Sequence, residues 1–83
     1  MARKTITVKK SNVWSQGVKM WYVVMDTEGN LYQRWSNELG YTEMALMVCE
    51  AGDKLDIDVG TSKNEYTFKF DGGCIILDAK HVL

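Results

Sequence analysis

The sequence predicts a mainly β protein: a small barrel of five or six strands, with one short helix between the third and fourth. Three observations predict it. Alternating apolar and polar runs fill most of the chain, and only one stretch shows helical spacing. At 83 residues the chain is one domain, 1–83, and too short for a two-layer sandwich of ordinary size. It has no proline to guard exposed sheet edges, and closure into a barrel removes those edges.

The first strand is "TITVKK", with Ile6 and Val8 on one face and Thr5, Thr7 and Lys9 on the other. "SNVWSQG" follows as a loop or a long, bulged hairpin end, which sets Trp14 among polar and turn-forming neighbours. "KMWYVVMD" is apolar on both faces: Met20, Tyr22 and Val24 on one, Trp21, Val23 and Met25 on the other. Such a strand is central, or lies under the helix, or belongs to a barrel whose outer face binds something. "DTEGN" turns the chain, with Gly29 or Asn30 suited to positive φ. "LYQRWS" returns as the third strand, so residues 19–26 pair with 30–36.

The helix is expected from Glu43 to about Glu50, with Thr42 as N-cap and Gly52 just past its end. Two turns are marginal alone, so it must dock on the sheet, and Met44, Met47 and Val48 form one stripe. "GDKLDIDVG" alternates again, with Leu55, Ile57 and Val59 inward and Lys54, Asp56 and Asp58 outward. "EYTFKF" places Tyr66, Phe68 and Phe70 on one face, after which "CIILDA" forms a last strand. "KHVL" either continues it or lies across the barrel end.

Composition narrows the function classes. The apolar fraction of 46% and charged fraction of 25% are those of a soluble domain. No apolar run approaches the ~20 residues of a membrane span, and "MARKTITVKK" lacks the apolar core of a secretory signal. Cys49 and Cys74 are expected as two buried thiols in the reducing cytoplasm. The net charge of −1 argues against simple binding to a phosphate backbone. Yet the first 25 residues carry +5, from Arg3, Lys4, Lys9, Lys10 and Lys19, and the other 58 carry −6. A local basic patch is compatible with that asymmetry, and so are lysines that merely solubilise an edge.

Catalysis is not expected. His81 is the one histidine, so neither a Ser-His-Asp nor a Cys-His grouping can be assembled. Asp56 and Asp58 read as a solvated strand face. No phosphate-cradling glycine motif is present, and Cys49, Cys74 and His81 are too few for structural zinc. Neither a cofactor nor a metal is expected.

The layout resembles an OB-fold, the five-stranded barrel with a helix between its third and fourth strands. The matching segments are "ITVKKSNVW" and "KMWYVVMDTEGNLYQRW" for three strands, "TEMALMVCEAG" for the helix and "GDKLDIDVG" for the fourth strand. The spacing of Tyr22, Val24, Asp26 and Gly29, and the Gly52-Asp53 pair, are similar to those of small replication-type OB domains. The likeness is architectural and covers about residues 5–78. The "EYTFKFDGG" hairpin departs from it, and an SH3-like barrel, which would lack the helix, is the competing fold.

The resemblance implies a ligand crossing strands two and three, flanked by the loop between strands one and two. That maps onto Trp14, Lys19, Trp21, Arg34 and Trp35, with Lys9 and Lys10 nearby. Bases would stack on the rings while the cations follow the phosphates, so single-stranded nucleic acid, DNA first, is the expected partner. Trp21 packed under the helix and Trp35 packed at the barrel end are the competing placements. A protein-binding or inhibitor module stands beside this expectation, because tryptophan, tyrosine and methionine anchor interfaces and the later residues are acidic. A monomer or small homodimer is expected, with no membrane contact.

Overall fold

The computed structural model describes residues 2–60 and 74–82. The elements are β1 (Ala2–Gln16), β2 (Lys19–Asp26), β3 (Leu31–Ser36), α1 (Tyr41–Val48), β4 (Lys54–Gly60) and β5 (Cys74–His81). They close into a barrel in the order β1-β2-β3-β5-β4, with β4 returning to β1. β3 and β5 run parallel and every other neighbouring pair is antiparallel. With the helix between β3 and β4, the architecture is OB-like, as the layout of the sequence implies. The expected "EYTFKF" strand, with Tyr66, Phe68 and Phe70, lies outside the described residues.

β1 is longer than expected. "SNVWSQG" is not a loop: the strand continues through it to Gln16 and turns on Gly17 and Val18. Gly17 has φ 63°, the positive φ that a type II′ hairpin needs at its first central residue. One strand serves two neighbours. Residues 2–7 pair with β4, and residues 8–16 pair with β2. Between them the register shifts by one residue, a bulge at Lys9. A bulge reverses the alternation of faces. Ile6 and Val8 point into the core before it, and Val13 packs on the core after it. Lys10, Asn12 and Trp14 are thereby turned outward.

The barrel interior holds Tyr22, Val24, Tyr32, Leu55, Ile57 and Ile76, all essentially inaccessible. Leu55, Ile57 and Val59 point in and Lys54, Asp56 and Asp58 do not, as the alternation predicts. The turn after β2 is built on Asp26. One carboxylate oxygen accepts the amides of Glu28 and Asn30 at 2.9 and 2.8 Å. The other accepts the Asn30 side-chain amide and the Tyr32 hydroxyl at 3.1 and 2.9 Å. Gly29 takes the positive φ there.

The helix begins two residues earlier than expected. Gly40, not Thr42, is the N-cap, and Glu43 at the third helical position accepts the Gly40 amide at 3.0 Å. Thr42 is inside the helix and donates its hydroxyl to Asp78 at 2.9 Å. The docking face also differs. Thr42, Ala45 and Leu46 are buried with Cys49 beyond them, whereas Met44, Met47 and Val48 face outward. The segment carries two stripes at helical spacing, and the one containing Leu46 is the one that enters the core.

Candidate functional site

The outer wall of β1, β2 and β3 is a grid fixed by strand register. Trp14, Trp21 and Trp35 lie directly across from one another, one on each strand. Two residues along comes a row of Asn12, Val23 and Gln33, and two further a row of Lys10, Met25 and Leu31. Partners directly opposite share a face, so all nine side chains project from the same wall. Neighbouring columns are ~4.8 Å apart and neighbouring rows ~6.7 Å.

The three rings are unequal. Trp14 is 40% exposed and Trp21 only 7%. Their centroids are 5.0 Å apart with the planes tilted by 35°, so Trp14 is braced from below by Trp21. The Trp21 indole donates to the Gln33 side-chain oxygen at 3.2 Å, which fixes its orientation. The Lys19 ammonium sits over the Trp35 ring, 4.9 Å from its centroid. Beside Trp14 runs a groove of about 190 Å³, lined by Lys10, Asn12, Trp14, Val23, Met25 and Leu31. No acidic residue lines it among the described residues.

The register therefore brings Trp14, Trp21, Trp35, Lys19 and Lys10 onto one wall. Lys9 is exposed at the bulge, beside that wall. Arg34 is not on it. It pairs with Tyr22, a core residue, and so points the other way from Trp35. Its guanidinium meets Glu43 through Nε and donates to the Ile76 and Leu77 carbonyls at 2.9 and 3.3 Å. Among the described residues the parallel β3–β5 seam has two residue pairs, and Arg34 adds to it with a side chain. Burial raises the carboxyl pKa of Glu43, but its hydrogen bonds, chiefly from Arg34, bring it below the ordinary value. The expected single aromatic-basic surface thus loses Arg34 to the inner structure.

The remaining N-terminal charge is also divided. Arg3 pairs with Asp56 and Asp78 at 3.4 and 3.1 Å. The Lys4 ammonium lies 5.1 Å from the Tyr32 ring centroid, on the core side of β1. His81 is half-buried, with its Nε2 3.0 Å from the Ala45 carbonyl of the helix.

Sequence reasoning missed Asn12 and the groove beside it. The bulge that turns Asn12 outward leaves no mark in the composition of "KKSN". It also missed a second surface, the outer face of α1. Tyr41, Met44, Met47 and Val48 are exposed there, with Leu39 just before the helix. Tyr41, Met44 and Val48 edge an apolar groove completed by Ala79, Lys80 and His81 of β5. No helix among the described residues is long and apolar enough to cross a membrane.

Compared with protein families, curated proteins and solved structures, the chain matches none.

Proposed function

We propose that the protein is a binding module for single-stranded nucleic acid, DNA in the first place, using the outer wall of β1, β2 and β3. One observation carries this: three tryptophans in register across three strands, with Lys19 over one ring and Lys10 at the far end of the wall. A β-wall gains little from an exposed ring unless the ring has a partner, and stacking on a base contributes ~1–3 kcal/mol. The near-neutral net charge is compatible with a ligand held mainly by stacking, with few phosphate contacts. The proposal assigns the protein no catalysis and no cofactor. It places it in the cytoplasm, where Cys49 stays a buried thiol. It also makes it a monomer or small homodimer that needs no metal; stoichiometric zinc in purified protein would contradict that.

The test is fluorescence anisotropy with a labelled 15-nucleotide single strand and the matching duplex. The single strand should bind more tightly. Trp14→Ala should weaken it by ~1–3 kcal/mol without changing the melting temperature appreciably. Equal affinity for the duplex, or an unaffected Trp14→Ala protein, would contradict the proposal.

One observation favours a second reading, a protein-binding module: the apolar outer face of α1, where Tyr41 is 93% and Met44 58% exposed. Contiguous exposed apolar patches mark interaction sites. On this reading Met44→Glu would abolish capture of a protein partner and leave oligonucleotide affinity unchanged.

A further inference from the structure

The wall of β1, β2 and β3 does not offer three equal stacking platforms. Trp21 is covered, and Lys19 occupies the face of Trp35. Trp14 is the exposed ring, and the groove opens beside it. From this we infer that the groove takes one unpaired nucleobase and that Asn12 reads its edge. The inference rests on the proposed single-strand binding of this wall.

The lining supports this occupant group by group. Trp14 is an aromatic wall against which one base can lie, held in place by Trp21 behind it. Val23 and Met25 form an apolar floor, and Leu31 closes the side away from β1. A volume of about 190 Å³ has room for one planar ring system. Lys10 lies two rows from Trp14, ~13 Å along the strand, so its ammonium can meet a phosphate flanking the bound base. Among the described residues no carboxylate lines the groove, so none of them sets a like charge against that phosphate.

Two amide side chains share the middle row. Gln33 is 2% exposed and its oxygen accepts the Trp21 indole, so it is committed to positioning the rings. Asn12 is exposed, and its amide has no hydrogen-bond partner among the described residues. A free carboxamide presents one acceptor and two donors side by side. That pattern matches base edges that pair a donor with an acceptor, as Asn does with adenine N6 and N7. Of the two amides, Asn12 is therefore the one placed to discriminate among bases, while Trp14 is indifferent to sequence because every base has a π-face.

The experiment is a set of titrations with eight-nucleotide homopolymers of dA, dC and dT, on the unaltered protein, Asn12→Ala and Trp14→Ala. Asn12 is at the surface, and a thermal melt confirms that each variant is folded. The unaltered protein should separate its best from its worst homopolymer by about five- to tenfold. Asn12→Ala should bring all three within about twofold and leave the salt dependence as it was. Trp14→Ala should weaken all three together. Binding that never discriminates, or discrimination that survives Asn12→Ala, overturns this inference and leaves the proposed function standing. No binding of any homopolymer overturns both.

Discussion

Asp26 is 2% exposed, yet it is held as a carboxylate. Burial raises its pKa, but the Asn30, Tyr32 and Glu28 hydrogen bonds outweigh burial and leave it below the ordinary value. A depressed folded pKa stabilises the fold above the unfolded value near 3.9, and that stabilisation is lost as pH falls toward the folded value. Stability should therefore decline below about pH 4, and Asp26→Asn, though less stable at pH 7, should show a shallower acid decline. Urea melts at pH 7 and pH 3 measure both. Tyr22 presents the opposite case. Its hydroxyl is fully buried and has no hydrogen-bond partner among the described residues. Removing an unsatisfied polar group relieves a desolvation cost of ~1–3 kcal/mol, so Tyr22→Phe should be neutral or stabilising. A loss above ~1 kcal/mol would mean that the hydroxyl is satisfied in solution. The alternation of β4 gives a third contrast. Ile57→Ala should cost ~2–4 kcal/mol and Asp56→Ala far less, because only Ile57 faces the core. Equal losses would place β4 one residue out of register.

At the scale of the element, α1 depends on two residues from different parts of the chain. Glu43 caps the helix through the Gly40 amide and meets the Arg34 guanidinium of β3. Removing Arg34 would leave a buried carboxylate without its charged partner, so Arg34→Ala should destabilise the fold by ~3–5 kcal/mol. Lys19→Ala should alter stability little and affect ligand affinity instead. The same pair shows what was legible in the sequence. Successive residues of a strand point to opposite faces, so Arg34 and Trp35 could not share a surface, and adjacency alone was a false guide. For α1 the spacing revealed an apolar stripe at Met44, Met47 and Val48, but Thr42, Ala45, Leu46 and Cys49 have equivalent spacing. Only the docking of Leu46 into the barrel decides between them. Strand β4 was readable because it alternates cleanly from end to end, and β2 and β3 because two runs of strand-forming residues flank the turn at "DTEGN". β1 was readable only to Lys10, because the bulge at Lys9 reverses its phase and no turn residue announces it.

At the scale of the whole molecule, closure decides what the wall can be. Because β1 bonds β4 along its first half and β2 along its second, Trp14 is carried on a strand continuous with the barrel. That gives the tryptophan row a rigid support, which favours a ligand that meets a preformed surface. Among the described residues few cations stand on this wall, since Arg3, Lys4 and Arg34 are engaged elsewhere. With about two or three phosphate contacts, log affinity should fall against log salt with a slope of about −2 or shallower. The most direct test is a tryptophan fluorescence titration with a short single-stranded oligonucleotide at ~50 mM salt, where such contacts are least screened. Stacking on Trp14 should quench the emission saturably, and the quench should be largely lost in Trp14→Ala. Unchanged fluorescence up to tens of micromolar oligonucleotide, with no mobility shift, would contradict single-strand binding and return the rings to barrel packing or a protein interface.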